Sequence, residues 1–240
     1  LTDVKIIAAD ANDWGTIWNS AEDLTATPEL RDAVHAIGVH YPHWGSPNPY
    51  HDNAEAQATG KPLYSSEDGS IGGNWEAALK SARIFNANYI ENPIVKTLFW
   101  SCFSGTYDGV AIHLSGAMQA NTPWSGHYEV EDGIWGFAHT TQFTKPGWNY
   151  IDNACGYLDA GGSYVALQDN GTADNRKSNP DFSIIVETGG ATDTQIMDVT
   201  LNGMSNHEIT VWKTEKGNTF QKVDTITPQN GKFSYVVDPD

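Results

Sequence analysis

Basic residues are scarce in this chain. Lys and Arg together number 13 against 30 Asp and Glu, which gives a formal net charge of −17 at pH 7. Nucleic acids and anionic membrane surfaces attract clustered Lys and Arg, so this balance argues against both classes of partner. The acidic residues are dispersed along the chain rather than gathered in one tail, so we expect a folded protein rather than a disordered one.

Long apolar runs and cysteines are also scarce. No apolar run approaches the roughly 20 residues that a helix needs to cross a bilayer, so we expect no membrane span. The two cysteines, Cys102 and Cys155, do not have the C-x-x-C spacing of a metal site. They could form one disulfide or remain two free thiols, and the sequence leaves both alternatives open.

Aromatic residues, in contrast, are abundant: nine Trp, ten Tyr and eight Phe. Aromatic faces next to Asn, Asp and His suit stacking against the apolar faces of sugar rings. Ordinary core packing explains most of them equally well.

The first part of the chain alternates short apolar runs with helical stretches. Such runs suit strands that are buried on both faces of a parallel sheet. Between them, Thr27 and Pro28 have the residue types of an N-cap and a first helical position, and "NWEAALKSARIFNANYI" has helical spacing. The pattern predicts β-α-β-α-β-α-β with these strands: Val4–Asp10, His35–Pro42, Pro62–Asp68 and Thr97–Phe103.

After Trp124 the pattern changes to strands separated by Gly- and Asn-rich turns. Stretches such as "GGSYVALQDNG", "DFSIIVETGG" and "EITVWKTEKG" predict an antiparallel β-sandwich. "TKPGWNYID" interrupts any regular element near the transition. We therefore predict an α/β domain over residues 1–146 and a β-sandwich over residues 147–240.

The stretch "YSSEDGS" places two carboxylates, Glu67 and Asp68, side by side at the end of a predicted strand. Both could belong to a solvated turn, or one could face a site. In a (β/α)8 barrel the carboxyl ends of the strands form the active face, and Glu67, His40, Tyr41 and Trp100 all lie at or near such ends. This favours a site position for Glu67, while Asp68 keeps the solvated-turn interpretation.

Several stretches resemble the galactocerebrosidase (galactosylceramidase) family of retaining β-galactosidases. They occur in family order from residue 4 to residue 188, and the block from Pro123 to Ile151 is the most specific of them. The matching stretches are "VKIIAAD", "IGVHYP", "GKPLYSSED", "NANYI", "PWSGHYEVEDGIWGFAHTTQFTKPGWNYI", "GGSYVAL" and "IIVET". The resemblance implies an eight-stranded (β/α)8 TIM barrel joined to a β-sandwich, of which this chain would hold the second half of the barrel.

The resemblance also implies site residues. The nucleophile of the family falls on Glu67, and retention of configuration needs a second carboxyl about 5–5.5 Å away. Trp100 falls on a sugar-stacking tryptophan, although a core position in the last strand is the alternative. His40 and Tyr41 could hydrogen-bond Glu67 or a sugar hydroxyl, and for His40 a buried structural role is equally open. Residues 124–127 are interpreted as a packed corner with a structural role.

The acid/base residue of the family follows an Asn at the end of the fourth barrel strand, which would lie upstream of Val4. "IWNSAED" mimics that strand end, but Ser20 stands where the Glu belongs. Glu22 is therefore assigned to a loop or helix after the fifth strand. The chain does not begin with Met, and its first residues already belong to a predicted structured region. Four β/α units cannot close an eight-stranded barrel, so we expect the N-terminal half of the barrel to come from sequence outside this chain.

The resemblance implies a β-galactoside or glycosphingolipid substrate, without a metal or other cofactor, because carboxylates alone can perform the reaction. A sugar-contacting Arg expected after "IIVET" is absent, although Arg176 in the preceding loop could substitute. Two alternatives stay open: another retaining hydrolase of the same clan, of the glucosylceramidase or xylanase type, and a degenerate, non-catalytic carbohydrate-binding protein. An animal protein of this family would be lysosomal, whereas a microbial one would be secreted.

Overall fold

The chain forms two compact units. The computed structural model describes residues 3–13, 16–43, 53–70, 72–110, 116–169, 181–202 and 208–239. The first unit comprises Leu1–Gly72 and Ala87–Glu129, and the second comprises Gly73–Asn86 and Val130–Asp240. The domain boundary predicted between residues 146 and 147 falls within the second unit and stays a prediction.

The first unit is organised around a four-stranded parallel sheet. Its strands are β1 (Ile7–Ala11), β2 (Ala36–His40), β3 (Leu63–Asp68) and β4 (Ile94–Phe99), and they lie in that order in the sheet. All three neighbouring pairs are parallel, as the sequence pattern predicts. The fourth strand begins three residues earlier than predicted and ends before Trp100.

Four helices connect the strands: α1 (Ser20–Ala26), α2 (Pro28–Ala33), α3 (Ala54–Ala58) and α4 (Trp75–Glu91). Pro28 is the first residue of α2 and Thr27 its N-cap, as predicted, although no cap hydrogen bond from the Thr27 side chain is found within the described residues. Glu22 lies in the first turn of α1, which confirms its assignment to a helix after the first strand.

The core of the first unit combines residues of the sheet with residues of α1 and α3 and of the segments just before α1 and just after α2. Strand β2 lies between β1 and β3, so Ala36, Ile37, Gly38 and Val39 are all buried. The buried cluster comprises Ile17, Trp18, Ala21, Leu24, Val34, Ile37, Val39, Ala56, Leu63 and Ile94. The outer strands differ, because they leave apolar side chains exposed: Ile7 in β1, and Val95 and Leu98 in β4.

A small three-stranded sheet follows β4. It contains β5 (Phe103–Gly105), β6 (Met118–Ala120) and β7 (Glu129–Val130), in the order β5-β6-β7.

The second unit consists of the first part of α4, helix α5 (Gly133–Thr141) and antiparallel strands. The strands are β8 (Asn149–Tyr150), β9 (Gly156–Tyr157), β10 (Ser163–Gln168), β11 (Phe182–Glu187), β12 (Gln195–Thr200), β13 (Ile209–Glu215), β14 (Asn218–Ile226) and β15 (Lys232–Val237). Strand β10 pairs with β8, β9 and β11, while β12 pairs with β15 and β13 with β14. All these pairs are antiparallel, which confirms the pattern predicted for this region.

Helix α5 packs tightly against the beginning of α4. A Cβ atom added at Gly136 would lie 2.1 Å from the backbone oxygen of Ala78, so only glycine permits this approach. Cys155 and Cys102 are both free thiols, which decides between the two alternatives that the sequence left open.

An ion pair between the half-exposed guanidinium of Arg83 and the buried carboxylate of Glu187 joins α4 to strand β11 within the second unit. Glu187, whose side chain is 2% exposed, accepts hydrogen bonds from Arg83 Nε and Nη2, both at 3.1 Å. Ser163 Oγ and the backbone N–H of Gly189 donate to the same carboxylate at 2.6 and 3.0 Å. Four donors therefore compensate for the desolvation of one buried carboxylate.

Replacing Arg83 by Met tests this ion pair. The variant keeps the apolar stem but removes two charge-assisted donors, so we expect the free energy of unfolding to fall by about 1.5–3 kcal/mol. Urea denaturation measures the change. The matched control is Arg31→Met, because Arg31 lies 3.9 Å from the exposed Asp32 on the surface of α2 and should contribute less than about 0.5 kcal/mol. Equal losses in the two variants would contradict the assignment.

Candidate functional site

The carboxyl ends of the four parallel strands meet at one edge of the first sheet. Asp10 lies near the end of β1, His40 ends β2, Glu67 lies near the end of β3, and Trp100 follows β4. In the sheet register His40 lies opposite Glu67, and Asp68 lies opposite Phe99. The parallel arrangement thus brings together polar residues that are far apart in the sequence.

Tyr41 and Glu67 are joined by two hydrogen bonds. The phenol O–H of Tyr41 donates to Glu67 Oε1 at 2.7 Å, and the backbone N–H of Tyr41 donates to the backbone oxygen of Glu67 at 2.9 Å. Tyr41 has a φ of 47°, a conformation uncommon outside glycine, and these two bonds hold it there. This confirms the predicted contact between Tyr41 and Glu67.

Burial, followed by the bond to Glu67, raises the pKa of Tyr41. The phenol therefore keeps its proton over the neutral range and remains a donor to the carboxylate. The Glu67 side chain is 30% exposed, so solvent reaches it from the sheet edge.

His40 lies between two carboxylates. Its Nε2 atom is 2.9 Å from Asp10 Oδ1, and its Nδ1 atom is 3.6 Å from Glu67 Oε1. The side chain is only 13% exposed. Both sequence interpretations of His40 therefore apply in part, because the ring is largely buried and also faces Glu67.

Asp10 and Ser66 also belong to this group of side chains, although neither was predicted from the sequence. Ser66 Oγ donates to Asp10 Oδ1 at 2.6 Å, the oxygen that also contacts His40. The bond from Ser66, assisted by His40 and opposed by partial burial, lowers the pKa of Asp10. A signal was present, since Asp10 is the carboxylate that ends the predicted strand "VKIIAAD".

The prediction of a solvated turn at Asp68 is wrong. Asp68 is fully buried and accepts hydrogen bonds from Ser65 Oγ at 2.7 Å, from Asn88 Nδ2 at 2.9 Å and from the backbone N–H of Gly69 at 2.9 Å. Its own backbone oxygen accepts a bond from the Trp100 N–H at 2.6 Å. Asp68 thus fastens the end of β3 to α4 and to the residue that follows β4.

Trp100 does not occupy a core position. Its side chain is 47% exposed, although its backbone is fixed by the bond to Asp68. An aromatic face with a fixed backbone next to the strand ends is available for stacking on a ligand.

The packed corner predicted at residues 124–127 is not observed for Trp124, which is 76% exposed and contacts only the edge of Tyr107, with ring centroids 4.8 Å apart, among the ring contacts described. Pro123–Ser125 form a short 3-10 helix that ends at Gly126, whose φ is 78°. Arg176, considered as a substitute for the missing Arg, lies outside the described residues.

A separate cavity of about 930 Å³ lies in the second unit. Its wall includes the aromatic rings of Trp135, His139, Phe143 and Trp212, each of which also contacts the ring of Phe220. Burial lowers the pKa of His139, which favours its neutral form in this apolar setting. None of the site residues predicted from the sequence lines this cavity. The candidate active site is therefore the edge of the parallel sheet where those residues lie.

Within the ranges that the structure describes, neither a candidate metal site nor a candidate membrane-spanning helix is present. No group of three or more His, Cys, Asp or Glu is arranged to hold a metal ion. Among the same residues, no helix has the length and apolar character to cross a membrane.

The sequence of this chain is similar to those of known glycoside hydrolases. The model of glycosyl hydrolase family 59 matches residues 1–142. Galactocerebrosidase of Danio rerio is 37% identical over 261 residues, covering 100% of this chain and 36% of that protein. The human galactocerebrosidase is 43% identical over 166 residues, covering 69% of this chain and 23% of that protein. The chain therefore spans about a third or less of the length of these two curated relatives.

Solved structures resemble the fold. A glycoside hydrolase family 30 subfamily 8 xylanase, Xyn30A from Clostridium acetobutylicum, superposes with a TM-score of 0.67 at 16% identity and covers 99% of this chain and 54% of that one. A family 30 endoxylanase from Clostridium papyrosolvens gives 0.66 at 12% identity, with the same two coverages. At these identities the likeness concerns the fold alone, an α/β part followed by a strand-rich part.

Substitution of Asp68 and of Glu67 by their amides tests whether the two carboxylates lie in different environments. In Asp68→Asn an amide NH2 would face donors that the carboxylate now satisfies, so we expect the free energy of unfolding to fall by about 1–3 kcal/mol. Glu67→Gln is the matched control, because its amide oxygen can still accept the Tyr41 bond and its side chain is partly solvated. Urea denaturation of both variants should show the larger loss at Asp68, and a larger loss at Glu67 would contradict this.

Proposed function

The chain belongs to glycosyl hydrolase family 59, and on that premise we propose that it supplies the nucleophile of a retaining glycoside hydrolase that removes a terminal β-galactoside. The observation that supports this most directly is the Glu67 carboxylate, partly exposed at a strand end and hydrogen-bonded by Tyr41. A nucleophilic carboxylate must be reachable and held in one orientation, and the partial exposure of Glu67 and its bond from Tyr41 favour both.

The two oxygens of Glu67 have different environments. Oε1 carries the Tyr41 bond and faces His40 Nδ1, so within the described residues these contacts leave Oε2 as the oxygen that would attack. Attack on the anomeric carbon breaks the glycosidic bond while an acid/base residue protonates the leaving oxygen. Water, deprotonated by that same residue, then hydrolyses the glycosyl ester and releases Glu67 with the sugar configuration retained.

Trp100, His40 and Tyr41 are proposed to line the sugar pocket. The half-exposed Trp100 ring would stack on the C–H face of the galactose, while its backbone bond to Asp68 keeps it beside β3. Tyr41 would stabilise the negative charge of the nucleophile before attack through its hydrogen bond, and the His40 ring beside Glu67 would help to orient it.

The acid/base residue is proposed to lie outside these 240 residues, together with the other half of the barrel. Two facts support this: the parallel sheet has four strands whose outer members leave Ile7, Val95 and Leu98 exposed, and the matched relatives are much longer. Four further strands would convert the open sheet into a closed (β/α)8 barrel over the proposed domain 1–146, with the β-sandwich over 147–240.

The substrate is proposed to be galactosylceramide or a similar glycosphingolipid, because the matched relatives are named galactocerebrosidases. In an animal the enzyme would then act in the lysosome, and in a microbe it would be secreted. Neither a metal nor an organic cofactor enters the proposed reaction, since two carboxylates and water perform every step.

The proposed nucleophile can be tested in the enzyme as encoded in full by its gene. Glu67→Gln should lower kcat on an aryl β-galactoside by a factor of about 10³ or more, because an amide cannot form the glycosyl ester. A 2-deoxy-2-fluorogalactoside should accumulate as a covalent adduct, and peptide mass spectrometry should locate it on Glu67.

Adduct formation on another carboxylate would refute the role of Glu67. A comparison of aryl β-galactoside, β-glucoside and β-xyloside tests the sugar specificity separately. A clear preference for glucoside or xyloside would favour another retaining hydrolase of the same clan. Absence of both turnover and adduct in the wild-type protein would favour a non-catalytic carbohydrate-binding protein.

Trp100 offers a test of the sugar pocket. Trp100→Ala removes the stacking surface, so we expect a loss of about 2–3 kcal/mol of transition-state binding, or roughly 30- to 150-fold in kcat/KM. Trp100→Phe keeps an aromatic face and should recover most of that loss. Trp124→Ala is the control for an exposed tryptophan outside the proposed pocket. Equal effects of Trp100→Ala and Trp124→Ala would argue against stacking by Trp100.

A further inference from the structure

We propose that Asp10 is a positioning residue for the nucleophile: it fixes the orientation and tautomer of His40, and through His40 the position of Glu67. The inference rests on the proposed function, since it concerns how Glu67 is held for attack.

One oxygen of Asp10 connects three strand ends. Its Oδ1 atom receives the Ser66 hydroxyl at 2.6 Å and lies 2.9 Å from His40 Nε2. Ser66 lies in β3 immediately before Glu67, and His40 ends β2. Asp10 itself has a φ of 58°, a conformation in which the chain at the end of β1 departs from the extended form.

The tautomer of His40 follows from the chemistry of its partner. The Ser66 bond lowers the pKa of Asp10, so its carboxylate is ionised at neutral pH and can only accept hydrogen bonds. His40 Nε2 must therefore carry a proton and donate it to Asp10. In the neutral ring the other nitrogen, Nδ1, then carries the lone pair, so at 3.6 Å it packs beside Glu67 Oε1 without donating, and Tyr41 is the donor to that oxygen.

The different exposure of the Asp10 and His40 side chains indicates that Asp10 positions the His40 ring rather than stabilises the fold. The Asp10 side chain is 61% exposed, whereas that of His40 is 13% exposed. Because the Asp10 carboxylate is largely solvated, its contact with His40 contributes little to the free energy of unfolding. Its effect on the ring is different, because a largely buried imidazole without a partner on Nε2 could exchange tautomers or flip about its Cβ–Cγ bond.

Loss of Asp10 should therefore affect the chemical step rather than binding or folding. Small displacements of a reacting group cost large factors in rate, and partners that orient a functional His commonly contribute 10- to 100-fold. We expect Asp10→Ala to lower kcat by about 10- to 100-fold, with KM within about twofold and the melting temperature unchanged.

The experiment is a double-mutant cycle on the enzyme as encoded in full, with an aryl β-galactoside as substrate. Asp10→Ala is measured in the wild-type background and in the His40→Ala background, where the proposal predicts less than a twofold further loss. Asp10→Asn should recover most of kcat, because its amide oxygen can accept both bonds. Asp32→Ala, at a carboxylate whose side chain is 79% exposed on α2, is the matched control and should retain full activity.

The rate of labelling by the fluorogalactoside gives a second readout and should fall in proportion to kcat. Three results would overturn the inference: wild-type kcat in Asp10→Ala, an equal effect of Asp10→Ala in both backgrounds, or a loss expressed in KM alone. Should Asp10→Ala not fold, Asp10→Ser replaces it, since its hydroxyl is too short to reach His40. A wild-type enzyme without turnover would instead refute the proposed function, and this inference with it.

Discussion

The parallel pairing of β2 with β3 is the constraint on which the candidate site depends. It sets His40 opposite Glu67, and the backbone bond from Tyr41 to Glu67 continues the pairing one residue beyond β2. Since all four strands run in the same direction, their carboxyl ends share one edge, and each connecting helix returns the chain to the opposite edge. A shift of one residue in this register would reverse the faces to which these side chains point.

Glu67 and Asp68 are neighbouring carboxylates that differ in burial and in the number of hydrogen bonds they accept. Asp68 is buried and accepts hydrogen bonds from Ser65, Asn88 and the Gly69 backbone. Its carboxylate is therefore stabilised by protein groups rather than by solvent. Glu67 has one close donor, Tyr41, and access to solvent. The backbone oxygen of Asp68 also accepts a hydrogen bond from the Trp100 N–H, so Asp68 fixes the backbone of the residue proposed to stack on the sugar.

The sequence predicted those features that depend on local pattern. Apolar runs and helical spacing identified the four parallel strands and α4, while the role that the family resemblance assigns to Glu67 stays a prediction. The environment of Asp68 was mispredicted because its burial depends on Asn88, which lies 20 positions away and is brought close only by packing. Trp124 was mispredicted for a similar reason, since a motif specifies residue types but not what covers them. Asp10 was accessible to strand-end reasoning, but its bond to Ser66 required the register of three strands.

Under the proposed function, further strands outside these 240 residues would complete both the packing and the chemistry of the first unit. Of its two inner strands, β2 and β3, the first is buried almost throughout. The outer strands β1 and β4 expose Ile7, Val95 and Leu98 and, among the described residues, pair with a strand on one side only. Unpaired parallel edges of this kind are seldom left open to solvent, and a closed ring of strands removes them. A retaining mechanism independently requires a second carboxyl about 5–5.5 Å from Glu67. Under the proposed function, additional strands that bury the apolar edges would also carry that carboxyl to the strand-end face, so closure of the barrel and completion of the active site become one structural event.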